Sequence, residues 1–264
     1  MAEFKHLTLE FPEPNVGLVT MNRPEVLNAV NTVMAGELRD VFSLAGTGEL
    51  SEISCLVLTG AGERAFSAGG DLKERNGMSN EQWQSQRVVF REYNRAQEAC
   101  PIPIVCAVNG LAMGGGLEMI MRSDFAYAVE DAKFALPEIR HGFFPGSGGT
   151  QRFSRLTSEA RAKEVILSGE SFSAQEAAEW GVVNKLFARE ELLSAVISIA
   201  AKIAAHPTEV VRTVKHVIHD GLQMDIKSGL QLEVENHDRI SSSKSRLKGI
   251  AEFNERSRSK TKDA

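Results

Sequence analysis

The sequence predicts an α/β fold whose C-terminal third is helical. Three observations carry this. Short apolar, partly β-branched runs recur at residues 55–59, 104–108 and 125–129, each the length of a buried strand. Helical patterns lie between them, at 81–98 and 115–121, and strands that alternate with helices build βαβ units and a mainly parallel sheet. After about residue 150 the strand signals stop and only helical patterns continue.

From the N-terminus, residues 4–11 alternate enough to form a strand. Pro12-Glu13-Pro14-Asn15 supplies a turn and residues 16–21 a second strand, so the chain opens with a hairpin. Asn31 stands where it can cap a helix running to about residue 45. Gly60 ends the strand at 55–59, and Asn109-Gly110 ends the one at 104–108. Helices are expected at 158–167, 173–180, 190–205, 207–220 and 226–240. Pro207 fits a first helical turn, where a missing N–H costs nothing. The polar stretch 257–264 is expected to fray.

A chain of 264 residues suits one large α/β domain, or one with a small helical appendage. Apolar residues make up 42%, enough for a sizeable core, and a net charge of −5 argues against a general nucleic-acid binder. An anionic ligand would therefore need local basic residues or backbone N–H groups. Cys55, Cys100 and Cys106 form no CxxC pair, so reduced, buried thiols in a cytoplasmic protein are expected. Residues 1–10 lack the basic-then-apolar pattern of a signal peptide, and no apolar run approaches the ~20 residues of a membrane span.

Three segments carry chemistry. Ala65-Phe66-Ser67-Ala68-Gly69-Gly70-Asp71-Leu72-Lys73 follows the first buried strand, and its small residues let backbone approach a ligand with N–H groups free. Asn109-Gly110-Leu111-Ala112-Met113-Gly114-Gly115-Gly116-Leu117-Glu118 reads as strand, glycine loop and helix start. The first N–H groups of a helix have no internal partner and can hold a developing negative charge. The spacing is neither a dinucleotide fingerprint nor a phosphate loop. Glu118 falls about one turn into this helix among Leu117, Met119 and Ile120, where a carboxylate is costly unless used or paired.

The third segment runs from Pro137-Glu138-Ile139-Arg140-His141 through Phe143-Phe144-Pro145-Gly146-Ser147-Gly148-Gly149-Thr150-Gln151-Arg152, and its glycines lead into another helix. Glu138 also sits among apolar residues. Two carboxyl groups and two N–H donors make a workable acid–base site: one carboxylate takes a proton from water, one acid protonates carbon, and the N–H pair holds an enolate oxygen. Spacing alone does not bring Glu118 and Glu138 together, nor does it exclude ordinary glycine turns and surface carboxylates.

In this order and combination, the segments resemble the enoyl-CoA hydratase/isomerase (crotonase-like) family. The likeness begins at Met21-Asn22-Arg23-Pro24-Glu25-Val26-Leu27-Asn28-Ala29 and reaches Phe253-Asn254-Glu255-Arg256, nearly the whole chain. It implies a spiral core of ββα turns over residues 1–200 holding an acyl-CoA site, and a helical region over 201–264 for trimerisation. A homotrimer or a dimer of trimers is the implied assembly.

The resemblance also implies roles. The backbone N–H groups of Gly70 and Gly115 would form the oxyanion hole, Glu118 would activate water for attack at C3, and Glu138 would protonate C2. Gly146 would help place the water or the thioester. Val26, Leu27, Ala68, Asp71 and Leu72 would lie along the adenine and pantetheine, with Phe253 and Arg256 reaching a neighbour's coenzyme A. No separate cofactor or metal is implied, because coenzyme A is part of the substrate. Both glutamates are present, which favours hydration of a trans-2-enoyl-CoA. An isomerase, a CoA-ester hydrolase or lyase, and a non-catalytic CoA- or RNA-binding oligomer remain the alternatives. Arg140-His141 and Phe143-Phe144 depart from the smaller residues usual in the family and are expected at or behind the acyl pocket.

Overall fold

A computed structural model describes residues 4–262. In chain order the elements are β1 (Leu7–Glu13), β2 (Val16–Met21), α1 (Thr32–Leu44), β3 (Cys55–Gly60), β4 (Ala65–Ser67), α2 (Leu72–Arg75), α3 (Asn80–Ala99), β5 (Ile104–Val108), β6 (Leu111–Met113), α4 (Gly115–Arg122), β7 (Phe125–Val129), β8 (Lys133–Ala135), α5 (Gly149–Leu156), α6 (Glu159–Ser168), β9 (Ser171–Ser173), α7 (Ala174–Glu179), β10 (Lys185–Phe187), α8 (Arg189–Ala204), α9 (Thr208–Gly221), α10 (Ile226–Ser241) and α11 (Lys244–Lys262). Single 3-10 turns, Pro24–Val26 and Pro137–His141, precede α1 and follow β8.

The strands sort into a six-stranded sheet, β1-β2-β3-β5-β7-β10, and a four-stranded one, β4-β6-β8-β9. From β2 onward the first sheet is parallel, with β1 antiparallel at its edge. Three strands of the first sheet are each followed by a short strand of the second and then by helical structure: β3-β4-α2, β5-β6-α4, and β7-β8 with the Pro137–His141 turn. Successive turns stack through Leu56↔Ile104 and Val105↔Phe125 in one sheet, and through Ala65↔Leu111 and Ala112↔Phe134 in the other. The chain thus winds as a spiral of ββα turns.

Burial explains why some elements were legible. β3 and β5 are buried along their whole length, so they read as unbroken apolar runs. In α1, Asn31 accepts from the Met34 N–H at 2.9 Å, and Met34, Ala35, Leu38, Val41 and Phe42 form one buried face. In α3, Ser79 and Gln82 close a capping box.

Two expectations are corrected. Strands do not stop at residue 150: β9 pairs antiparallel with β8, and β10 joins β7. Each has only three residues, too few to show a period. The tail, expected to fray from 257, continues the helix α11 to Lys262, and residues 263–264 lie outside the described part. All three cysteines are buried. Among the described residues no helix is long and apolar enough to cross a membrane.

The chain divides into two compact units after Ala205. In the second, α9 and α10 pack together, with Arg239 donating to Thr213 Oγ1 at 2.8 Å and pairing with Glu209. Val214, Ile218, Leu222, Ile226, Leu230 and Val234 on these helices and their connection are exposed.

In the first unit, Asn28 ties the loop after β2 to the rest of the fold. Its φ is 54°, which asparagine tolerates, and its side chain is fully buried. Oδ1 accepts from the Arg23 N–H, while Nδ2 donates to the carbonyls of Ala61 and Ala65, all within 3.0 Å. Asn28→Ala strips these partners and is expected to lower the unfolding free energy by about 2–3 kcal/mol. Urea denaturation measures this, and an unchanged midpoint would contradict it.

Candidate active site

Because β4, β6 and β8 are parallel neighbours, the segments leaving their C-terminal ends emerge side by side. These segments are Ala68–Asp71, Gly114 with α4, and Leu136–Glu138. Pairing of these strands therefore assembles what sequence spacing could not.

Gly70 and Val30 form a parallel bridge, in which Val30 N–H donates to Gly69 O at 2.7 Å and Asp71 N–H to Val30 O at 2.9 Å. The bridged residue's own N–H then points away from Val30. Gly115 is the first residue of α4, so its N–H has no intrahelical acceptor. Neither N–H finds an acceptor among the described residues. A Cβ on Gly115 would stand 3.5 Å from Gly70 N, so the two groups are neighbours. Both residues are partly exposed.

Glu118 is 2% exposed. Its Oε1 accepts from the N–H groups of Ser147, at 2.7 Å, and Gly149, at 2.8 Å, while Oε2 has no partner among the described residues. Glu138 is 8% exposed, in the 3-10 turn after β8, and its buried Oε2 has no partner among the described residues. Its other oxygen lies against Gly114, where an added Cβ would come within 2.8 Å. Burial pushes the Glu138 carboxyl up to about 7, with its own backbone N–H opposing and the Glu118 charge adding to the rise. The pair thus offers an acid that keeps its proton up to about pH 7 and a carboxyl group fixed by two N–H donors, beside two unpaired N–H groups.

The remaining sequence-predicted residues fall into two groups. Leu27 and Ala68 meet, the Ala68 N–H donating to Leu27 O at 2.9 Å, and Val26 lies beside them in the 3-10 turn. The Asp71 carboxylate is occupied internally: it accepts from Arg23, at 2.8 Å, and from the N–H groups of Lys73 and Glu74 as the cap of α2. Burial opposes ionisation there, but Arg23 and these N–H donors outweigh it and hold the carboxyl below its usual range. Leu72 is exposed, as is Phe253 in the second unit, and the Arg256 side chain lies outside the described residues. Arg140 pairs with Glu170, and His141 stacks on Phe143 at the surface.

The resemblance gave Gly146 a part in placing the water or the thioester; Ser147 and Gly149, whose N–H groups fix Glu118, were not singled out. A Cβ on Gly149 would lie 2.6 Å from Pro145 Cβ and 2.9 Å from Glu118 Oε1. Arg75 was also missed. Its guanidinium lies between the rings of Trp83 and Phe90, at 5.0 and 5.1 Å, with Nε donating to Gln86, and it abuts Gly70.

Two predictions follow from this geometry. Gly69 has a φ of +86°, and a Cβ there would stand 2.7 Å from the Met113 carbonyl, whereas a Cβ on Gly70 meets only the movable end of Arg75. Gly69→Ala should thus lose at least about 2 kcal/mol, the left-handed backbone alone costing roughly 1–2, and Gly70→Ala clearly less. Thermal unfolding gives the order, and the reverse order would refute the assignment. Folding raises the Glu138 carboxyl from 4.5 to about 7, so its contribution to stability is complete below pH 4.5 and is lost as the pH rises through 7. The stability of Glu138→Gln relative to the unsubstituted protein should rise across that window and level off above it.

The family model described as enoyl-CoA hydratase/isomerase matches residues 12–264. The chain is 37% identical over 236 residues to the short-chain-enoyl-CoA hydratase of Clostridium acetobutylicum, covering 88% of each. It is 34% identical over 264 residues to the mitochondrial enoyl-CoA hydratase of Pongo abelii, covering 99% of this chain and 89% of that one. The crystal structure of an enoyl-CoA hydratase from Bacillus anthracis superposes with a TM-score of 0.91 at 37% identity, covering 96% of this chain and 97% of that one. With its spiral of ββα turns and its C-terminal helices, the chain belongs to the enoyl-CoA hydratase/isomerase family.

Proposed function

We propose that the protein adds water across the double bond of a trans-2-enoyl-CoA to give the 3-hydroxyacyl-CoA. The observation that carries this reading is the pair of buried carboxyl groups, Glu118 and Glu138, beside the unpaired N–H groups of Gly70 and Gly115. The names of the relatives in Clostridium acetobutylicum and Pongo abelii support the same reaction.

The thioester oxygen accepts from both N–H groups, which stabilise the negative charge that develops as the enolate forms; one such donor contributes roughly 3–4 kcal/mol to the barrier. Glu118, fixed through Oε1, uses Oε2 to take a proton from water, and the water oxygen bonds to C3. The electron pair of the double bond moves into the enolate. Glu138 returns a proton to C2, and a carboxyl that stays protonated to about pH 7 suits that task. An isomerase needs no water activation, so two intact carboxyl groups favour hydration. Val26, Leu27, Ala68 and the Asp71-Leu72 backbone form the coenzyme A arm in this reading. Phe253 and Arg256 serve a neighbouring subunit of a trimer or dimer of trimers, in which the exposed apolar residues of α9 and α10 are covered.

Loss of the conjugated-thioester absorbance of crotonyl-CoA tests the proposal. Glu118→Gln and Glu138→Gln are each expected to lower kcat by about 10²–10⁴ with little change in KM. The unsubstituted enzyme should lose kcat/KM as the pH rises past about 7, where Glu138 gives up its proton, and Glu138→Gln should lack that limb. Turnover untouched by both substitutions would refute the assignment.

A further inference from the structure

Arg122 is a buried arginine without an acidic partner. It is 7% exposed, lies one helical turn beyond Glu118 on α4, and takes part in none of the ion pairs of the described residues. Its nitrogens donate to neutral groups only: Nε to Gln97 Oε1 at 3.0 Å, Nη1 to Ser147 O at 2.7 Å, and Nη2 to Tyr93 Oη at 2.7 Å. The guanidinium also lies 5.3 Å from the centre of the Tyr93 ring. Burying an unpaired cation is costly, and an apolar side chain of similar size would pack there without that cost. Of the two carboxylates that share this environment, Glu118 and Asp124, Glu118 is the one joined to Arg122 through a common hydrogen-bond partner. Burial pushes the Tyr93 phenol up, with Arg122 opposing the rise and Glu118 adding to it, so both charges reach the same hydroxyl.

Ser147 links the two. Its N–H donates to Glu118 Oε1 at 2.7 Å, its carbonyl accepts from Arg122, and its hydroxyl accepts from Asn94 Nδ2 at 3.0 Å. Phe143, Phe144 and Gly146 nearby are exposed, Ser147 and Gly148 are half-buried, and Pro145 is the one buried residue with a side chain between 143 and 149, so side-chain packing alone does little to fix this stretch. We infer that Arg122 is a positioning residue for Glu118: by gripping the Ser147 carbonyl it holds the 145–149 segment so that both N–H donors stay on Oε1 and Oε2 is left for the water. The inference rests on the hydratase reading for its kinetic consequence, but not for its structural one.

Arg122→Met keeps the length of the side chain and removes its donors, and Arg122→Lys keeps the charge and one donor group. In crotonyl-CoA hydration, Arg122→Met should lower kcat by about 10–100-fold and leave KM within about threefold, with Arg122→Lys recovering part of the loss. In a Glu118→Gln background the same change should cost less than about threefold, because the carboxylate it positions no longer acts. Amide hydrogen exchange needs no turnover: the peptide containing Ser147 and Gly149 should exchange at least about tenfold faster in Arg122→Met, with β5 unchanged. Equal kinetic losses in both backgrounds, or unaltered exchange in that peptide, would overturn the inference. If neither crotonyl-CoA nor longer or branched trans-2-enoyl-CoA thioesters are hydrated yet exchange accelerates as expected, the clamp stands and the hydratase reading falls. Should Arg122→Met fail to fold, Arg122→Lys carries the same comparisons at smaller amplitude.

Discussion

The parallel pairing of β4, β6 and β8 decides where chemistry can occur. Each strand has three residues, so each contributes little stability of its own, and their order is imposed by the longer strands β3, β5 and β7 that precede them in each turn of the spiral. The fully buried runs of β3 and β5 fix the register, Leu56 opposite Ile104, and the short strands follow. Three C-terminal ends then open on the same place, as expected where parallel strands end together. Gly70 and Gly115, with their unpaired N–H groups, leave the first two ends and Glu138 the third, while Glu118 follows one turn into the helix after the second. A slip of one residue between β3 and β5 would dislocate all of them at once.

Two carboxyl groups are buried in this small volume, and each meets the cost of burial differently. Glu118 takes two backbone N–H donors on one oxygen. Glu138 has its Oε2 buried without a partner among the described residues, and its carboxyl is pushed up to about 7. Below about pH 7 a protonated Glu138 therefore stands beside a Glu118 carboxyl group that accepts two backbone hydrogen bonds. The asymmetry of roles in the proposed reaction follows from that asymmetry of surroundings, since two identical environments would give two groups with no division of labour.

Much of this was legible in the sequence, for identifiable reasons. Elements with a strong period or a strong cap were readable: α1 behind Asn31, α3 from its helical pattern over 81–98, and the continuous apolar runs of β3 and β5. The short strands β4, β6, β8, β9 and β10 were not, because three residues cannot display a period of two. Glu118 could be singled out because a carboxylate among Leu117, Met119 and Ile120 contradicts the helix's apolar face. Its meeting with Glu138 could not, because that depends on strands β6 and β8 pairing. Ser147, Gly149 and Arg122 were missed because their importance lies in which backbone group faces which side chain. Composition and spacing carry no trace of that.

The placement of polar partners around Ser147 separates two kinds of stabilisation. Asn28 uses its side chain to close gaps in the backbone ladder, and its neutral bonds to Arg23, Ala61 and Ala65 would serve any protein with this loop. Arg122 does something a structural side chain has no need to do: it carries a full charge into the interior and spends its donors on a carbonyl, a phenol and an amide. Packing alone favours an apolar residue there, so the charge needs another reason. Glu118, one turn earlier on the same helix and joined to Arg122 through Ser147, supplies it. Through the Ser147 carbonyl, the cation fixes the loop whose N–H groups hold that carboxylate.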